Sequence, residues 1–288
     1  VSEPRVFPAP AKLNLFLHVI GRRPDGYHEL QTVFRFIDAA DRLSVTVRDD
    51  GAIRRVNAVP GVPEDEDLVV RAARLLQRES GTNLGADIAL DKRLPLGGGL
   101  GGGSSDAATA LLALNHLWDT GFKRAGLQAL GLKLGADVPV FVYGRNAFGE
   151  GVGERLQALE LPPEWYVILV PPVAVSTPAV FSRPELTRST DAIRMAVFST
   201  GWRQWRSAFG GRNDLEPVVR RMHPEVARSL DWLAGFGDAR MTGSGACVFC
   251  GFETERAAIE VLERKPADIA GFVARGLEEH PLRALVED

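Results

Sequence analysis

The chain has 288 residues, enough for one large or two modest domains at roughly 150 residues each. Hydrophobic residues make up 45% and charged residues 25%, which excludes disorder, collagen-like repeats and coiled coil. Lys and Arg number 34 against 37 Asp and Glu, so a net charge of −3 supplies no field to gather nucleic acid or an anionic membrane, and phosphate must be bound by a local device. A small-molecule partner is expected. No apolar run reaches the roughly 20 residues of a membrane span, and Val1–Pro10 lacks the basic, apolar and small-residue succession of a signal peptide. A cytoplasmic protein is therefore expected.

The chain begins with strands. From Ala11 to Ile20, Leu13, Leu15, Leu17 and Val19 alternate onto one face, leaving Lys12, Asn14 and His18 on an unusually polar second face. Gly21–Gly26 is a loop by its Pro24, Asp25 and Gly26, followed by Tyr27, His28 and a strand over Leu30–Ile37. Leu43–Arg48 and Ala52–Val56 flank Asp50-Gly51, which predicts a hairpin in a mainly antiparallel sheet. Leu68, Ala72, Leu75 and Leu76 predict a helix over Leu68–Glu79, stopped by Gly81. A strand at Ala86–Leu90 and helices over Ser104–Trp118 and around Lys123–Leu134 follow, the last ending at Gly135.

A composition break at Leu161-Pro162-Pro163 precedes a strand at Trp165–Val170. Beyond it, helices are expected around Leu215–Met222, Glu225–Phe236 and Glu255–Arg264, with strands near Ala239–Thr242, Ala246–Phe252 and Gly271–Ala274. The fold class expected is α+β in two domains, residues 1–159 and 160–288.

Cys247 and Cys250 have C-x-x-C spacing, but no second Cys pair or His pair completes a zinc site. Ala246, Val248 and Phe249 make this stretch an apolar strand rather than a redox helix start, so two buried thiols are expected.

The chief chemical signal is the run Pro95, Leu96, Gly97, Gly98, Gly99, Leu100, Gly101, Gly102, Gly103, Ser104 and Ser105, entering an apolar helix. Glycines let backbone N–H groups approach an anion, and the helix adds unpaired N–H groups and the positive end of its dipole. Six glycines in seven residues are too costly in ordering entropy for a mere connector. The run therefore predicts a phosphate cradle. Ser104 and Ser105 suit helix capping or contact with phosphate or Mg²⁺. No lysine follows in the Walker pattern, no acid-ended strand follows at dinucleotide spacing, and protein-kinase partner motifs are absent. Two further segments are weighed alone: Asp137 in Gly135–Pro139 is expected to cap a short helix rather than face a cleft, and Met241–Ala246 is either a ligand loop or a simple hairpin.

Together, P-A-K-L-N-L at 10–15, L-P-L-G-G-G-L-G-G-G-S-S-D-A-A at 94–108, L-G-A-D-V-P-V-F at 134–141 and T-G-S-G-A at 242–246 resemble the ordered motifs of the GHMP kinase superfamily of small-molecule kinases. R-P-D-G-Y-H-E-L at 23–30 and S-T-P-A-V-F at 176–181 resemble the cytidine-binding segments of its branch whose acceptor is cytidine diphosphate methylerythritol. The resemblance runs from about Pro8 to Val273. It implies an N-terminal domain like domain 2 of ribosomal protein S5 and a ferredoxin-like C-terminal domain, with substrates in the cleft between them. It also implies transfer of the ATP γ-phosphoryl group to a tertiary hydroxyl in the non-mevalonate isoprenoid route, with Mg²⁺.

By the same resemblance Lys12 and Asp137 are the catalytic pair, and Asn14, beside Lys12, can bond the reacting hydroxyl or Asp137. Tyr27, His28 and Phe181 hold the cytosine, Thr177 contacts the acceptor, and Asp106 near the phosphates suggests proximity to Mg²⁺. Asp67 stands where the family commonly has an adenine-binding asparagine, and a carboxylate can accept from adenine but not donate. The alternatives are another GHMP kinase, of homoserine or mevalonate type, and a nucleotide-binding module without catalysis. No nucleic acid or membrane partner is expected, and the chain is expected to act as a monomer or weak homodimer.

Overall fold

The structure, a computed structural model, describes residues 3–194 and 211–288. Its first sheet is built around two long strands, β1 (Arg5–Arg22) and β2 (His28–Arg48), paired antiparallel from Arg5↔Val45 to Arg22↔His28. The other edge of β2 is shared. Its N-terminal half pairs with β5 (Ala147–Gly151), which carries β6 (Arg155–Ala158), and its C-terminal half pairs with β4 (Gly85–Asp91). β3 (Ile53–Arg55) lies outside β4 and parallel to it.

That placement overturns the expected hairpin at Asp50-Gly51. The chain does turn there, with Asp50 accepting from the Ala52 N–H, but the Ala52 carbonyl accepts from Ala86 of β4 at 2.9 Å. β4 takes the central slot because Ala86, Ile88 and Leu90 are all buried, whereas β3 offers only half-buried Ile53 followed by two arginines.

Helices α1 (Leu68–Ser80), α2 (Gly102–Trp118), α3 (Arg124–Leu132) and α4 (Val138–Tyr143) pack with this sheet. Asp67 caps α1 by accepting from Val69 N, and Gly81 ends it in the left-handed region at φ 69°, where glycine carries no Cβ penalty. The central part of α2 is buried on all sides, a packing its continuous Ala and Leu run permits.

The second sheet has the antiparallel order β10 (Ala270–Arg275), β7 (Trp165–Val170), β9 (Val248–Phe252), β8 (Arg240–Met241). The short helix α5 (Thr177–Phe181), with α6 (Glu216–Met222) and α7 (Pro224–Ala234), separates β7 from β8, and α8 (Glu255–Glu263) joins β9 to β10. This is the ferredoxin-like order, and the α+β class agrees with the sequence expectation. Residues beyond β10 return to the first lobe, where Leu282 and Val286 join its core.

β1 fuses the two lobes. Phe7 and Ala9 belong to the first core, Leu17 and Val19 to the second, and Ala11, Leu13, Leu15 and Phe16 to a third cluster with Tyr166, Ile168 and Phe249 between the sheets. Irregular register after Pro10, Asn14 and Val19 redirects the side chains, so the face expected to be polar is buried as well. Among the described residues no helix is long and apolar enough to cross a membrane.

Candidate active site

Where β1, the glycine loop, the start of α4 and the β8–β9 loop converge, they line a cavity of about 420 Å³. All the residues Pro95–Ser104 line it, with Lys12, Asn14, Asp137, Thr177 and Phe181. Ser105 does not. One helical step beyond Ser104 it is turned toward β1, fully buried, and its hydroxyl donates to the Pro10 carbonyl at 2.7 Å. This side chain anchors α2 and is not available to a phosphate.

The loop needs glycine for stated reasons. Gly99 has φ 76°, and a Cβ there would lie 2.2 Å from the Thr242 carbonyl. Gly101 has φ 73° and would meet Lys12 Cε and Phe141 at 3.0 Å. The β8–β9 hairpin thus closes on the first glycine loop: Cys247 N donates to Gly98 O at 3.0 Å, and Thr242 Oγ1 to Gly99 O at 3.3 Å. Met241–Ala246 is the hairpin between β8 and β9, and its Gly243, Ser244 and Gly245 also line the cavity. Gly101 supplies no side chain to cap α2, so the N–H groups of its first turn and the positive dipole end are left for an anion.

Lys12 is 2% exposed and reaches three groups: the Asn14 side-chain oxygen, the Gly99 carbonyl at 2.8 Å and Asp137 Oδ2 at 3.4 Å. Asp137 precedes α4 without capping it by its side chain, so the carboxylate faces the cleft instead. Asn14 donates to Thr32 Oγ1 at 2.9 Å while its Oδ1 accepts from Lys12. It positions the lysine in this structure and does not touch Asp137.

Beneath the start of α2, Lys92 donates to both Asp41 and Asp106, an arrangement not legible in the sequence because it joins β2, the segment after β4 and α2. Asp106 is turned from the cavity into this cluster, and burial, reinforced by Asp41 and opposed by Lys92, pushes its carboxyl up to about 7. Asp67 is likewise engaged. One oxygen accepts from Val69 N at 2.8 Å, the other from Arg55 at 2.6 Å, and only its neighbour Leu68 lines the cavity.

At the far end, Phe181 lines the cavity and stacks on His28 with centroids 4.7 Å apart and planes at 29°. Burial, with the nearby cations of Arg188 and Arg22, holds the His28 imidazole below its ordinary range. His28 itself does not line the cavity, and Tyr27, 63% exposed in the turn before β2, stands outside it. Thr177, at the start of α5, shares a 2.6 Å hydrogen bond with Ser244, which brings the two small-residue segments together. Cys247 and Cys250 are buried thiols, as expected, and burial pushes the Cys247 thiol up to about 12.

The family model for the GHMP kinases N terminal domain matches residues 67–145, and that for the GHMP kinases C terminal matches 201–267. The chain is 61% identical to the 4-diphosphocytidyl-2-C-methyl-D-erythritol kinase of Thiobacillus denitrificans over 99% of both chains, and 59% identical to that of Nitrosomonas europaea over 96% of this chain and 98% of the other. A crystal structure of 4-(cytidine 5'-diphospho)-2C-methyl-D-erythritol kinase superposes with TM-score 0.80 at 36% identity, covering 94% of this chain and 99% of that one. A homoserine kinase from Cytophaga hutchinsonii, at 16% identity and TM-score 0.64 over 96% of this chain and 94% of that one, shares the fold. The chain belongs to the GHMP kinases and, within them, to the family of the 4-diphosphocytidyl-2-C-methyl-D-erythritol kinases.

Proposed function

We propose that this chain transfers the γ-phosphoryl group of ATP to the 2-hydroxyl of 4-diphosphocytidyl-2-C-methyl-D-erythritol, a step of the non-mevalonate isoprenoid route. The observation that carries the proposal is the Lys12–Asp137 pair at 3.4 Å in one cavity with the glycine loop, in a chain 61% identical to a relative of that name.

The residues fit a nucleotide. Bare amides of the loop and the first turn of α2 suit the phosphates, and the loop's positive φ values leave close approach unobstructed by Cβ atoms. Mg²⁺ accompanying the nucleotide would neutralise phosphate charge, with Ser104 and Asp137 as the oxygen-bearing side chains nearest in kind to what it takes. No group of three or more His, Cys, Asp and Glu suited to a metal occurs among the described residues, so most of its ligands would come from phosphate and water.

The acceptor oxygen forms its bond to the γ-phosphorus as the bond to the ADP oxygen breaks. The hydroxyl proton passes to the Asp137 carboxylate. The Lys12 ammonium, held by Asn14 and Gly99, pairs with Asp137 and steadies charge developing on the transferred group. Phe181 and His28, with Tyr27 next to His28 in sequence, form the base end of the site, and Thr177 holds the acceptor from the second lobe. The same proposal places a monomer or weak homodimer in the cytoplasm, acting on small molecules.

ADP release, coupled to an indicator reaction and offered a panel of acceptors, tests this. Turnover is expected with the cytidyl acceptor; turnover with homoserine or mevalonate and none with the cytidyl compound would overturn it, and no turnover with any would favour a binding module.

A further inference from the structure

Bonded to the backbone of Phe181, at the base end of the cavity, is a cation that the proposed reaction does not use. Arg188 donates through Nε to His28 Nε2 at 3.2 Å. Its Nη2 donates to the carbonyls of Phe181 at 2.9 Å and Arg183 at 2.7 Å, and its Nη1 to those of Leu186 at 3.1 Å and Pro184 at 3.5 Å. None of these acceptors is a carboxylate. The guanidinium is thus spent on ordering the segment behind α5 and on one imidazole nitrogen, where a planar fork loses less freedom per bond than a lysine would.

The consequence for His28 is chemical. A guanidinium stays protonated in proteins, so Nε2 must offer its lone pair, which requires a neutral imidazole with its hydrogen on Nδ1. The stack on Phe181 fixes the ring plane, and burial favours the neutral form. Among the described residues no hydrogen bond reaches Nδ1.

We propose that Arg188 is a positioning residue of the acceptor site, locking His28 as the neutral Nδ1–H tautomer against the Phe181 ring so that this corner offers a base a hydrogen-bond donor. The inference rests on the cytidyl acceptor proposed above. Cytosine presents O2 and N3 as acceptors, whereas N3 of uracil carries a hydrogen, so a fixed donor favours the former. Because Arg188 is held by backbone carbonyls before any ligand arrives, the donor is organised in advance.

Nitrogen-15 spectra of the histidine rings in the free protein, with the His28 signals identified by their loss in His28→Gln, report the tautomer without any substrate. Wild type is expected to show Nδ1 protonated and Nε2 bare. Arg188→Met removes the donor and should move the proton to Nε2, while Arg188→Lys, which can still donate, should retain the wild-type form. In steady-state kinetics Arg188→Met should raise the KM for the cytidyl acceptor about tenfold, leave kcat and the ATP KM within about twofold, and be largely rescued by Arg188→Lys. A purely structural arginine would lower thermal stability without moving the tautomer or separating the two KM values, and that result would overturn the proposal. A wild-type ring protonated on Nε2 would overturn it too, even if Arg188→Met failed to fold. Absence of wild-type turnover with the cytidyl acceptor would instead overturn the function proposed above, leaving the tautomer measurement intact.

Discussion

The Gly99 carbonyl lies 2.8 Å from Lys12 Nζ, so the ammonium that stands 3.4 Å from Asp137 also anchors the glycine loop. In the proposed reaction this links the position of the phosphate to activation of the acceptor through one side chain. The two members of the pair should fail differently. Asp137→Asn keeps the loop anchor and should lower kcat by about 10²–10⁴ with an unchanged ATP KM. Lys12→Met removes the anchor as well, so kcat should fall comparably and the ATP KM should rise several-fold. Equal, unshifted ATP KM values in both variants would contradict the linkage.

The loop itself can be tested by one added methyl group. In Gly99→Ala the new Cβ meets backbone, the Thr242 carbonyl at 2.2 Å, at a φ of 76° that already disfavours side chains. A stability loss of at least about 2 kcal/mol and a tenfold or larger rise in ATP KM are expected. Gly103→Ala is the control, because its Cβ finds only Leu68 Cδ1 at 3.7 Å in ordinary contact. Urea midpoints should separate the two; equal midpoints would show that the hairpin does not close on the loop.

What the sequence made legible was local. The period of Leu68, Ala72, Leu75 and Leu76, with Asp67 before and Gly81 after, specifies α1 without reference to any other element. The glycine run similarly declares its backbone chemistry. Features depending on a distant partner were not legible: the insertion of β4 between β2 and β3, the Asp41–Lys92–Asp106 cluster, and the Arg188 contact with His28. Ser105 is the instructive intermediate. Its residue type fits a phosphate loop as well as Ser104 does, and only the rotation of the helix toward Pro10 distinguishes them. Asp137 is the reverse, since the capping role that its position suggests is the one it does not take.

Burial decides the chemistry of the cysteines. Cys247 and Cys250 are both 0% exposed, and the Cys247 thiol is held near 12, so almost no thiolate exists at neutral pH. Native protein should leave both thiols unreacted with a disulfide reagent, and denatured protein should titrate two. Because Cys247 N is bonded to Gly98 O, saturating ATP should slow any residual labelling at Cys247. Rapid native labelling would exclude the buried arrangement.

The C-terminal return supplies a pH dependence with a definite sign. His280 is 1% exposed; its Nδ1 accepts from Leu282 N at 3.1 Å, its ring meets Phe36 edge-on, and Nε2 is buried without a partner among the described residues. Burial, with a contribution from Arg124, pushes the imidazole down from 6.5 to about 3. Between those values the unfolded chain binds the proton and the folded chain does not, so stability is complete above pH 6.5 and declines as the pH falls toward 3. His18, also held low by burial, declines in the same direction, whereas Asp106, raised to about 7, gains stability as the pH falls through its range. These contributions cancel when wild type is compared with His280→Asn, which keeps an acceptor for Leu282 but cannot titrate. On lowering the pH from 7.5 to 4.5, wild type should lose about 3 kcal/mol relative to that variant in urea unfolding, whatever the constant offset between them. Parallel curves across that interval would mean that the folded protein accommodates a protonated His280.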